Sequence, residues 1–401
     1  MLKLKKALLL FVVAVLTISL VGCSIGPATQ SSENPSSSVP DSSTVDSSED
    51  SFQGDANGGA IGGDVVKSAN WDGSVASGIA KGAGTKDAPY YIESAAEFAY
   101  ALSEGAGRGY YYQLSCDIYL NDVSANDWML NKNNNAWFTG NSFNGHLDGN
   151  GYCVYGLWID PTEPPDQAGL VAWFSGGSIT NLGLRYSFII GNKQAGGFVG
   201  RAMQGDLKQI KNCFVDESVY VWVNSGEACG GILGYAYSYG GATASIEFEN
   251  CYSKAQLYNG NTDKHRRANG IVGVSYDCGY SMKNCLAVNA SPYYGPYDRW
   301  ISDVVTKGGI KASEVYKNVY GTENSAQEKE SWTTVSLDSI KGENAKTTLK
   351  GFDFNNTWQT VAGGTPKLRI FTGIDGKDLS VYDISLISLE SFKKPAGKPA
   401  A

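Results

Sequence analysis

An Asn-Cys pair recurs three times in the middle of the chain, in IKNCF (210–214), FENCY (248–252) and MKNCL (282–286). The pairs begin at Asn212, Asn250 and Asn284, separated by 38 and then 34 residues. A Gly-flanked apolar phrase precedes each one: AGGFVG (195–200), CGGILG (229–234) and ANGIVG (268–273). An upstream copy, AGLVAWFSGGSITNLGL (168–184), puts Asn181 in the Asn position and Leu182 where Cys would be. A downstream copy, VYKNVYG (315–321), supplies Asn318. Five asparagines therefore fall at intervals of 31, 38, 34 and 34 residues. Repeats of this length with variable middles mark a solenoid whose loops project to one side.

Short apolar runs punctuated by Gly and Asn dominate the body, so the chain is expected to be mostly β. Each unit has room for two or three short strands, and coils of a parallel β-helix suit that length. Stacked coils bring equivalent residues to about 4.8 Å along the axis. Asn181, Asn212, Asn250, Asn284 and Asn318 are then expected to form a turn ladder, each amide bonding to its copies above and below. Cys213, Cys251 and Cys285 would form an interior stack of compact apolar fillers. Zinc would require four ligands wrapped around one ion, and no Cys-x-x-Cys spacing is present, so packing is preferred to metal. The Cys229 position aligns with Ala195 and Ala268, which again indicates a small buried site.

The N-terminus carries Lys3, Lys5 and Lys6, an apolar run from Ala7 to Val21, and the phrase Leu20-Val21-Gly22-Cys23. The run is short for a bilayer span and has the basic start of a secretory signal. Its ending resembles a bacterial lipobox, which implies a lipidated Cys23, attachment to the cell membrane and an extracellular body. Residues 24–66 are rich in Ser and acids and contain no Lys or Arg, a composition expected of a disordered tether. That tether holds seven acidic charges while the whole chain is −8. The body is thus only mildly acidic and shows no basic face, which argues against nucleic-acid binding.

The flanks of the repeat carry a further signal. GTKDAPYYIESAAEFAYAL (84–102) leads to YYYQLSCDIYLND (110–122) and FNGHLDGNGYCVYGLWI (143–159). This order resembles the start of bacterial surface proteins with GLUG-type repeats, within the pectate-lyase-like right-handed β-helix group. Ser94 and Glu97 have capping-box spacing for a short helix that would cap the first coil. The closing phrase GFDFNNTWQTVAGGTPKLRIF (351–371), with Gly364, Pro366 and Leu368, is also similar to the end of that family. Only Cys251 is followed by Tyr, as in the family's usual repeat ending. The resemblance implies an all-β, right-handed parallel β-helix over 67–371 with a helical N-terminal cap. A signal peptide (1–23), a tether (24–66) and a C-terminal tail (372–401) would flank it.

Several β-helix proteins cleave acidic polysaccharides, and such chemistry needs a carboxylate cluster with an Arg or Lys base, or a pair of acids. LWIDP (157–161) and the acids Asp160, Glu163 and Asp166 read as a solvated loop, because no Arg is spaced to join them. His146 lies in a turn phrase and His265 in the basic run KHRR (264–267). No nucleotide, serine-hydrolase or zinc-protease phrase is present, and no cofactor or metal is expected. Aromatic loops remain, and Tyr and Trp faces stack on sugar rings. Tyr237, Tyr239, Tyr293, Tyr294, Tyr297 and Trp300 are the candidate contacts. The expectation is a lipid-anchored adhesion or glycan-binding module, meeting a glycan or a host or cell-wall surface without catalysis. A polysaccharide lyase or glycoside hydrolase and a purely structural envelope protein are the alternatives.

Overall fold

Strands in this protein pair with their counterparts one repeat away rather than with their neighbours in sequence. The computed structural model describes residues 66–138, 142–203, 206–224, 226–237, 246–260, 268–276, 280–289, 302–305, 316–322, 332–377 and 379. Ile189 lies beside Val221, which lies beside Leu257. Ile179 lies beside Ile210, which lies beside Phe248 and then Met282. All of these pairings are parallel, so the chain is a parallel β-solenoid.

One coil runs through Gly183–Arg185, Ser187–Gly191, Gln194–Gly196, Val199–Ala202 and Lys208–Lys211. That is five strands where the sequence led us to expect two or three. The extra ones are three to five residues long and separated by single bends, so no alternating pattern develops within them. Ala195, Cys229 and Ala268 are register partners in the third of these strand positions. Leu147, Ile179, Ile210, Phe248 and Met282 stack in the interior with almost no exposure, as do Cys213, Cys251 and Cys285. These three cysteines are free, along with Cys116, Cys153 and Cys229.

The turns explain the asparagines. Asn181, Asn212, Asn250, Asn284 and Asn318 all have φ between +52° and +54°. L-residues avoid that left-handed region, and Asn is among the few that tolerate it. The amide of Asn212 donates to the Oδ1 of Asn181 at 2.9 Å, and Asn250 donates to Asn212 at 3.0 Å. Asn284 donates to Asn250 at 3.1 Å and Asn318 to Asn284 at 2.9 Å. The column has two distinct ends. Asn181 Nδ2 donates to the carboxylate of Asp148 at 2.9 Å, and that carboxylate also accepts the Asn150 backbone N–H. At the other end Gly351, at φ +89°, lies so close that a Cβ there would stand 2.1 Å from Asn318 Nδ2.

The N-terminal coil, which begins with Tyr90–Ile92, is covered by helix α1 (Ala95–Leu102). Ser94 Oγ accepts from the Glu97 N–H, and Glu97 reaches back to the Glu93 N–H at 2.8 Å. Phe98, Ala99 and Leu102 are the face that α1 buries.

The closing phrase is not a further coil. Trp358–Val361 and Gly364–Leu368 form an antiparallel hairpin, preceded by the short helix α2 (Asn344–Thr348). This module packs sideways on an outward row comprising Cys153, Phe214, Tyr252, Leu286 and Tyr320. Phe371 meets Phe214 edge-on at 4.6 Å. Packing also continues past the expected boundary at Phe371, since Leu379 N–H donates to Glu217 Oε1 at 2.7 Å. The signal segment, Cys23, most of the tether, His265, Tyr239, Tyr293, Tyr294, Tyr297 and Trp300 lie outside the described residues.

Replacing Asn250 separates the two roles of the ladder. Asn250→Gly removes the amide but suits the left-handed turn, whereas Asn250→Ala removes the amide and leaves a Cβ in that region with no polar side chain to offset its cost. Thermal or denaturant unfolding should rank wild type above Gly and Gly above Ala, with Ala costing about 2–4 kcal/mol. An Ala variant as stable as the Gly variant would contradict the assigned turn geometry.

Candidate ligand-binding face

Each coil has a strand surface before the Asn turn and another after it, and the two differ in what covers them. The C-terminal module occupies the surface after the turn. The surface before it carries partly exposed rows running along the axis. Trp173, Arg201 and Tyr235 are register partners on three successive coils. The Arg201 guanidinium sits between the two rings, 5.3 Å from the Trp173 centroid and 5.4 Å from that of Tyr235. A delocalised cation held between aromatic faces is favourable electrostatically.

A second row runs Tyr111, His146, Ser178, Gln209 and Glu247. Tyr111 and His146 stack at 4.1 Å, His146 Nδ1 lies 3.0 Å from Ser178 Oγ, and Gln209 Nε2 donates to Glu247 at 2.9 Å. Burial, helped by Lys86, pushes the His146 pKa down, which favours the neutral ring. A third row places Glu249 between Lys211 at 3.5 Å and Lys283 at 2.5 Å. The Lys283 hydrogen bond holds the Glu249 carboxyl below its ordinary value. The face thus offers ring edges, a guanidinium edge and amide and hydroxyl groups, all at coil spacing. Among the described residues no cluster of three or more His, Cys, Asp or Glu is placed to hold a metal ion.

The structure sorts the residues singled out from sequence. Tyr237 ends the strand Leu233–Tyr237, two residues beyond Tyr235, and pairs with Tyr276 of the next coil. Asp160 accepts from Thr162 within a turn, and Asp166 pairs with Lys193 at 2.5 Å, so these acids do not converge. Sequence reasoning missed the Trp173–Arg201–Tyr235 stack. The signal was available, because Arg201 and Tyr235 each directly follow a repeated Gly phrase.

Charge is buried on the covered surface. Arg185 pairs with Asp216 at 2.6 Å, and Lys254 with Glu217 at 3.6 Å, all with little side-chain exposure. Beside them Asp117 is 6% exposed and accepts the Cys153 N–H at 2.7 Å. Burial raises its pKa to about 6, against the Cys153 bond and the more distant Arg185, which lower it.

That shift has a definite sign. The folded state holds the Asp117 proton more tightly than the unfolded chain, whose ordinary value is 3.8. The contribution of Asp117 to stability therefore falls as pH rises from about 4 to about 6 and stays low above that. Asp117→Asn should close this loss, so the melting temperature of the variant relative to wild type should climb across that window. A difference independent of pH would show that Asp117 is not perturbed.

No protein-family profile matches the chain. Halomucin of Haloquadratum walsbyi is 28% identical over 170 residues, which are 41% of this chain and 2% of halomucin. A candidate Gly-rich membrane protein of Evansella cellulosilytica is 38% identical over 88 residues, 21% of this chain and 10% of that protein. The chain thus matches only a small part of either relative. Among solved structures, a candidate immunoglobulin A1 protease from Bacteroides ovatus aligns with a TM-score of 0.45 and 19% identity. That alignment covers 73% of this chain and 95% of the other. Among the described residues no helix is long and apolar enough to cross a membrane.

Proposed function

We propose that this chain is a lipid-anchored cell-surface module that binds a glycan along the open face of its solenoid, without catalysis. The observation that carries the reading is the Trp173–Arg201–Tyr235 stack, partly exposed and in register on three coils. A sugar polymer lying along the axis would meet a ring or guanidinium on three successive coils, and polar groups of the His146–Glu247 row beside it. The lipobox ending in Cys23, the Ser-rich tether and the resemblance to GLUG-type surface proteins support placement outside the cell. The names halomucin and Gly-rich membrane protein point the same way.

One observation favours a hydrolase instead. Glu247 and Glu249 are two residues apart on one strand and so project from the same side. A general acid needs a carboxyl with a raised pKa, however, and Lys283 holds Glu249 in the opposite sense. Binding is the better reading.

A glycan array probed with the secreted form of the chain tests it. Trp173→Ala and Tyr235→Ala should each weaken the strongest array signal about tenfold, with the melting temperature little changed. Array binding that survives both substitutions would overturn the assignment of this face. Loss on changing Tyr293, Tyr294 or Trp300 instead would move the site to the loops.

A further inference from the structure

A cavity of about 120 Å³ lies between the solenoid and the strap that follows the C-terminal hairpin. Asp117, Tyr119, Tyr152, Cys153 and Tyr155 form its floor and walls, and Gly373 and Ile374 its roof. It is separate from the open face described above, because these residues follow the turn rather than precede it.

The chemistry of the lining is specific. Asp117 is more than nine-tenths buried, and its Oδ1 accepts the Cys153 N–H. Among the described residues nothing donates a hydrogen bond to its Oδ2. The nearest guanidinium, Arg185, is committed to Asp216 at 2.6 Å. Tyr119 and Tyr155 stack face to face at 4.5 Å, with Lys67 over one outer face and Arg185 over the other. Their ring faces are therefore taken, and the Tyr155 hydroxyl accepts a long bond from Arg185 Nη1 at 3.4 Å, which leaves ring edges and the Tyr119 and Tyr152 hydroxyl groups for a ligand. Tyr152 is half-buried beside them.

An anion is excluded by the carboxylate. A hard divalent cation wants several oxygen ligands of full or partial charge, and here one carboxylate stands among neutral phenols. A primary ammonium matches better. It is a compact point charge with three donors, able to bond one carboxylate oxygen and neighbouring hydroxyl groups together. We propose that the cavity under the strap is a binding site for a primary ammonium group, held by Asp117 and bordered by Tyr119, Tyr152 and Tyr155.

Two sources supply that chemistry. One is a small amine from outside. The other is the chain's own tail, which carries Lys393, Lys394 and Lys398. Calorimetric titration of the full chain with methylammonium chloride at neutral pH, against sodium chloride as the blank, distinguishes them. Saturable heat with the unaltered chain supports an external amine. Heat that appears only after Lys393→Gln, Lys394→Gln and Lys398→Gln together supports a tail lysine as the occupant. No saturable heat in either protein overturns the proposal. In whichever protein binds, Asp117→Asn should weaken affinity about tenfold or more, and unchanged affinity would overturn it. Should Asp117→Asn fail to fold, Ile374→Trp lowers the roof without touching the carboxylate. Undiminished binding in that variant would equally overturn the assignment.

Discussion

The left-handed asparagine turn is the constraint on which the rest of the solenoid depends. A coil can stack on the next only if its strands arrive in the same register, and a slip of one residue would turn every interior side chain outward. At φ near +53° the backbone reverses locally, and the amide projects along the axis where its copy can receive it. Each bond is worth only about 1 kcal/mol net, yet the bonds are in series and polarise one another. Asp148 gives the series a charged acceptor at one end, and Gly351 leaves room for Asn318 at the other. Asn therefore does what neither Gly nor Ser could do alone: it tolerates the turn, and it both donates and accepts.

Register fixed in this way has consequences on both outer surfaces. After the turn it lines up Phe214, Tyr252 and Leu286 into an apolar row that water would otherwise meet. The C-terminal module covers that row, and with it the Arg185–Asp216 pair and the Asp117 carboxylate. Before the turn the same register lines up Trp173, Arg201 and Tyr235, and among the described residues the C-terminal module does not pack there. The two surfaces are consequently suited to different tasks, one holding the chain's own terminus and one available to a polymer.

How much of this could be read from sequence depended on whether a position repeats its residue type. The asparagines and cysteines repeat because turn geometry and a narrow interior each admit few side chains, so Asn212, Asn250 and Asn284 are legible as a repeat in the sequence. Strands of three to five residues leave no periodic trace, so the sequence shows fewer strands per coil than the structure has. The stack of Trp173, Arg201 and Tyr235 uses three different residues for one role, and a search for repeated letters passes over it. The lateral docking of Phe371 on Phe214 joins residues remote in sequence through shape alone. Asp117 was legible as part of a strand phrase, but its burial follows from the strap at Gly373 and Ile374, which only the fold brings near.

A double-mutant cycle on the asparagine column tests the central claim most directly. With glycine as the replacement, Asn212 and Asn250 should show a coupling energy of about 0.5–1 kcal/mol in equilibrium unfolding, while Asn181 and Asn318, which are not in contact, should show almost none. Additive behaviour at Asn212 and Asn250, or coupling just as strong between the distant pair, would contradict a register set by neighbour-to-neighbour amide bonds.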